Sequence, residues 1–108
     1  MRSKRSPAPS DVLVVLVRFD LRIPGCRSLK EKRHVVKSLI AAIRATFNVS
    51  VAEVDHQELW QRTAIGVAAV GAEEYHLRKV VQEMERLVDR WVEVEVIDRE
   101  RSVHRAED

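Results

Sequence analysis

The run Val12–Leu21 (VLVVLVRFDL) narrows the possible folds more than any other part of the chain. Its alternate residues Leu13, Val15, Val17, Phe19 and Leu21 form an unbroken apolar row, the pattern of a strand covered on one side. The intervening row is apolar at Val12, Val14 and Leu16 and turns polar at Arg18 and Asp20. A strand apolar on one face and half apolar on the other belongs in the middle of a sheet, and that sheet needs a second layer to cover it. The run also follows a basic segment, residues 1–10, and so imitates a secretory leader. Arg18 interrupts the apolar stretch, however, and no small-residue cleavage site follows. No apolar run approaches the ~20 residues of a membrane span. We therefore expect a cytoplasmic protein with no membrane partner.

The second layer is legible downstream. Ser28 followed by Glu31 has capping-box spacing, and Leu29, Val36, Leu39, Ile40, Ile43 and Phe47 share one face of a helix over 28–47. A second amphipathic helix, 73–89, turns Leu77, Val80, Val81, Met84, Leu87 and Val88 inward. Strands are expected at 12–21, 49–54, 60–70 and 91–97. The order β-α-β-β-α-β predicts an α+β ferredoxin-like sandwich, a four-stranded antiparallel sheet with both helices on one face. The domain covers 11–98, between a disordered basic tail at 1–10 and a polar C-terminal tail at 99–108.

Charge is distributed unevenly along this body. Arg18 to Arg44 carries eight basic and two acidic residues, a net of +6, whereas Ala45 to Asp98 carries five basic and eleven acidic, a net of −6. A sequence pI near 9.0 therefore does not describe a uniformly basic surface. One cysteine among 108 residues excludes an internal disulfide framework, and its spacing from the four histidines fits no zinc ribbon or finger. No cofactor-binding motif is present: there is no Walker loop, nucleophile elbow or dinucleotide fingerprint.

Three groups of residues are candidates for function. Lys30, Arg33, Lys37 and Arg44 fall in one 60° sector of the first helix, with Arg27 and Lys32 flanking its entrance. Such a row suits phosphates, with help from the helix N-terminus, although a solvated face or a subunit contact would carry the same charges. The uncovered sheet face is expected to show Val12, Val14 and Leu16 beside Ala64, Gly66 and Ala68, a smooth apolar surface fit for a second copy or another partner. Glu93 and Glu95 are expected at its edge, able to pair with Arg18 across a two-fold axis. With no aromatic on the central strands and two glutamates at the edge, this face does not suit base stacking. The third group, Glu53, Asp55, His56 and Glu58, holds the residue types of a general base or metal site. Neighbours in an extended chain point to opposite faces, so Asp55 and His56 need not meet. Trp60 and Trp91 each open a strand and are expected to close the ends of the core; an exposed one would anchor a partner.

Two strings carry a family resemblance: PGCRSLKEKR at Pro24–Arg33 and FNVSVAEVDHQELWQR at Phe47–Arg62. Both resemble the YlxP-like family, small bacterial proteins that form a domain of unknown function, over about residues 11–98. The resemblance implies a ferredoxin-like fold and no established activity. Family genes often lie near translation-initiation and ribosome-maturation genes, which implies by association an RNA or ribosomal context. Cys26 stands where the family pattern has another small residue, so the resemblance gives this thiol no role. The reading is a non-enzymatic accessory protein that binds RNA or a translation component. Against it stand a small-molecule enzyme or metal-binding protein centred on Asp55 and His56, and a purely structural oligomerisation module.

Overall fold

The computed structural model describes residues 11–106; the basic tail expected over 1–10 lies outside the described residues. The elements follow the expected order: β1 (Leu13–Arg22), α1 (Leu29–Thr46), β2 (Ser50–Asp55), β3 (Arg62–Gly71), α2 (Glu74–Asp89) and β4 (Glu95–Arg105). All strand pairs are antiparallel, in the sheet order β2-β3-β1-β4. The chain thus has the α+β ferredoxin-like arrangement, with β1 central as its apolar pattern demands.

Leu13, Val15, Val17, Phe19 and Leu21 are all buried, and so are Ile65, Val67 and Ala69 on β3. Against them pack Val36, Leu39 and Ile43 of α1 and Leu77, Val81, Met84 and Val88 of α2, in one continuous core. Both helices therefore cover the same sheet face. Each large side chain removed from water there contributes about 1.5–3 kcal/mol before entropy is counted. The Ser28 hydroxyl accepts from the Glu31 amide at 3.1 Å, which fixes the start of α1 as the capping box predicts.

The last strand departs from expectation. The segment 91–94 turns before the strand begins, and β4 runs on to Arg105 through residues the sequence assigns to a polar tail. Two features explain this. A bulge where the β1–β4 register shifts at Asp20/Leu21 changes the parity of the strand, so that Val96 faces the same way as Arg99, Arg101 and Val103. The inward arginines are then neutralised by α2: Arg101 Nη2 lies 2.6 Å from Glu85 Oε1, Arg105 Nη2 lies 3.5 Å from Glu74 Oε1, and Arg99 pairs with Asp89. A strand held to its covering helix by ion pairs has no apolar alternation to read.

This seam makes a direct prediction. Ending the chain at Asp98 removes most of β4 together with its arginine contacts to α2, and should abolish the cooperative urea transition followed by far-UV circular dichroism. An unchanged midpoint would mean that residues 99–105 are the expendable tail the sequence suggests.

Candidate functional site

The basic row of α1 is only partly as expected. Lys30, Arg33 and Lys37 are exposed, and none has a carboxylate partner among the described residues. Arg44 is exposed but its guanidinium donates to the Val51 carbonyl at 2.8 Å, covering the edge strand β2. The row thus runs along the β2 side of the molecule. Lys32 must be removed from it. Its side chain is 1% exposed, with Nζ 2.9 Å from Glu53 Oε2, and it also donates to the His56 carbonyl. The reason lies in the helical wheel: Lys32 falls in the middle of the arc made by Leu29, Val36, Leu39 and Ile43, so it points into the protein. Glu53 also accepts from the Thr63 hydroxyl at 2.6 Å, which completes a polar clasp between α1, β2 and β3.

The acidic group around residue 55 divides across the sheet. Glu53 faces α1, whereas Asp55 and His56 both turn to the open face; Glu58 is exposed in the loop that follows. Simple alternation does not send Asp55 and His56 apart, because the β2–β3 register shifts between Glu53 and Asp55 and His56 has a positive φ of 61°. The two residues join Arg18 and Asp20. Arg18 Nε lies 3.2 Å from Asp20 Oδ2 and its Nη2 lies 3.3 Å from Asp55 Oδ2, while His56 Nε2 is 3.4 Å from Asp20 Oδ1. The Arg18 guanidinium, above all, holds the Asp20 carboxyl below the usual carboxylate range. Asp55 is lowered first by the hydrogen bond from the His56 amide and then by Arg18. Carboxylates fixed in the ionised form by a guanidinium are weak bases and poor acids, so this geometry is that of a structural ion cluster. Among the described residues, no group of three or more His, Cys, Asp or Glu side chains is placed to hold a metal ion.

The open sheet face is concave. Its groove, about 560 Å³, is lined by Leu16, Arg18, Ala52, Val54, Gly66 and Ala68, with Glu100 and Ser102 at one rim. The antiparallel register sets Leu16 opposite Ala68 and Val14 opposite Val70, but places Arg18 opposite Gly66 and Asp20 opposite Ala64. The apolar set expected here changes accordingly. Ala64 is fully buried, Val12 precedes the strand and is half-buried, and Val14 is half-buried, whereas Leu16, Val54 and Val70 are exposed. Gly66 is small for an internal reason: a Cβ there would meet Val54 Cγ1 at 3.0 Å. Glu95 is paired with Arg22 of its own chain at 3.3 Å, and Glu93 precedes β4, so neither serves the role expected of it. Glu100 takes their place, directly opposite Arg18 on β1.

The two tryptophans expected to close the ends of the core part company. Trp60 lies in the β2–β3 loop rather than in a strand and is half exposed, and Leu59 beside it is equally open. Trp91 packs against the core from the turn before β4. No helix among the described residues is long and apolar enough to cross a membrane.

Comparison with known proteins gives a family without an assigned activity. A family model described as "Protein of unknown function (DUF503)" matches residues 14–101. The "Uncharacterized protein YlxP" of Bacillus subtilis (strain 168) is 40% identical over 68 residues, which cover 63% of this chain and 74% of that protein. Among solved structures, the chain is similar to the de novo designed protein Foldit4, with a TM-score of 0.49, 14% identity and coverage of 86% of this chain and 93% of that one. It is also similar to SnoaB from Streptomyces nogalater, a cofactor-independent oxygenase crystallised as a point mutant. That likeness has a TM-score of 0.46, 11% identity and coverage of 91% and 95%. At these scores neither structure bears on function.

Proposed function

The chain belongs to the DUF503 family of proteins of unknown function, and from that premise we propose that it is a non-enzymatic accessory protein that binds RNA, free or within a translation component, through the exposed cations of α1. One observation carries this reading. The carboxylates of α2 are matched within the chain, Glu74 by Arg78 and Arg105, Glu83 by Arg86, Glu85 by Arg99 and Arg101, and Asp89 by Arg99. Lys30, Arg33 and Lys37 have no such partner among the described residues and line up over two turns of one exposed helix flank. Open cations in a row attract a polyanion and gain from counterion release when it binds. Arg27, exposed at the entrance of the helix, extends the row.

The salt dependence of binding tests it. Replacing Lys30, Arg33 or Lys37 singly by Ala should weaken RNA binding to a similar degree for different sequences and flatten the log–log salt slope by roughly 0.7–1 unit each. The slope should not change in Glu83→Gln. Unchanged affinity and slope in all three α1 variants would remove this surface as the site.

A second reading concerns the open sheet face, for which we propose a second copy of the chain as occupant. Supporting it are the exposed Leu16 and Val54 around the groove and the facing pair Arg18 and Glu100, opposite charges that a two-fold axis can match in both directions. Sedimentation equilibrium should show a dimer at tens of micromolar that Leu16→Asp converts to a folded monomer. A monomeric wild-type protein at that concentration contradicts this second reading and leaves the first intact.

A further inference from the structure

We infer that the α1 cations form one half of a single-stranded RNA site whose other half is the β2–β3 loop, with Trp60 stacking on an unpaired base. The inference rests on the RNA-binding reading above and adds the class of RNA. The Ile23 amide donates to the Gln61 carbonyl at 2.9 Å, and the Gln61 side-chain amide donates to the Cys26 carbonyl at 3.2 Å. Lys32, from inside α1, donates to the carbonyl of His56. The loop is therefore tied at both its ends to the segment that starts α1. Trp60 adjoins Gln61 in sequence, and Arg27 adjoins Cys26, so the indole and the first cations of the row share one end of the molecule.

The loop itself has the chemistry of a stacking platform. Trp60 and Leu59 are 50% and 49% exposed, a large apolar surface to leave in water on a loop held this firmly. They border a shallow depression lined by Glu58, Leu59, Trp60, Gln61 and Arg62. Arg62 also lines it, but its guanidinium is directed to Asp20 of the open-face cluster, with Nη2 3.8 Å from Asp20 Oδ1. An exposed aromatic face beside a row of cations is a sequence-tolerant way to hold a single strand, its base stacked on the indole and its phosphates drawn to the cations. Glu58, also at the depression, repels phosphate, which directs the backbone of the ligand toward Arg27 and Lys30. Duplex RNA keeps its bases stacked internally and cannot offer one to Trp60, so the arrangement selects single strands.

The sequence contains two tryptophans, so Trp91→Phe leaves Trp60 as the only indole reporter. Titrating this variant with oligouridylate should quench its fluorescence to saturation, whereas a duplex of equal length should bind more weakly and leave the emission unchanged. In the wild-type background, Trp60→Ala should weaken oligouridylate binding roughly tenfold to a hundredfold without altering the salt slope, and Trp60→Phe should keep most of the affinity. Circular dichroism establishes that each variant is folded. Equal binding of both RNAs with no quenching, while the α1 variants still flatten the slope, overturns stacking and leaves phosphate binding standing. An unchanged affinity in Trp60→Ala has the same meaning. Failure to bind either RNA overturns both readings.

Discussion

An ammonium group inside the apolar face of a helix costs several kcal/mol unless it is paired and hydrogen-bonded, and the packing of α1 is organised around satisfying one. Lys32 meets Glu53 on the edge strand, Glu53 in turn accepts from Thr63, and the lysine also holds the His56 carbonyl. These contacts set the distance of α1 from β2 and the position of the β2–β3 loop. They also orient the helix: with Lys32 turned inward, Lys30, Arg33 and Lys37 must lie on the outer flank. The internal cation thus determines where the external ones are displayed, and which loop they are displayed beside.

The bipolar charge of the sequence is resolved in a similar way. Most carboxylates of its acidic half are engaged within the chain. Glu74, Glu85 and Asp89 meet arginines of β4, so the α2–β4 side is locally neutral and held together by its charges. Pairs this exposed contribute modestly one by one, but as a seam they cover a strand face that has few apolar side chains of its own. On the open face Arg18 is likewise engaged, by Asp20 and Asp55. The α1 flank is where several cations stand together without such partners.

Much of this was legible in the sequence, because β1, β3 and both helices owe their positions to apolar periodicity. Their ends agree with expectation within about two residues. What the sequence concealed lies where periodicity is broken or replaced. The bulges in β2 and β4 change strand parity, which brings Asp55 and His56 to one face and carries β4 past Asp98. Arg99 and Arg101 occupy inward positions that an apolar pattern would have announced. The basic row of α1 was legible as a cluster, but its composition was not. Placing Lys32 on the same wheel as Leu39 and Ile43 would have revealed it as an inward residue. The sequence sets Trp60 at the start of a strand, closing the core; it lies instead in a loop anchored at its two ends, which leaves it exposed.

We propose that a single surface, made by the outer flank of α1 and the β2–β3 loop, receives RNA. An NMR titration that follows backbone amides and side-chain N–H groups on addition of a short single-stranded RNA reads it residue by residue. Arg27, Lys30, Arg33, Lys37 and the Trp60 indole should shift progressively, with the signals of Lys32 and of β4 unmoved. Shifts confined to Leu16, Ala52, Gly66 and Ala68 in the sheet groove, with the α1 flank silent, would contradict it.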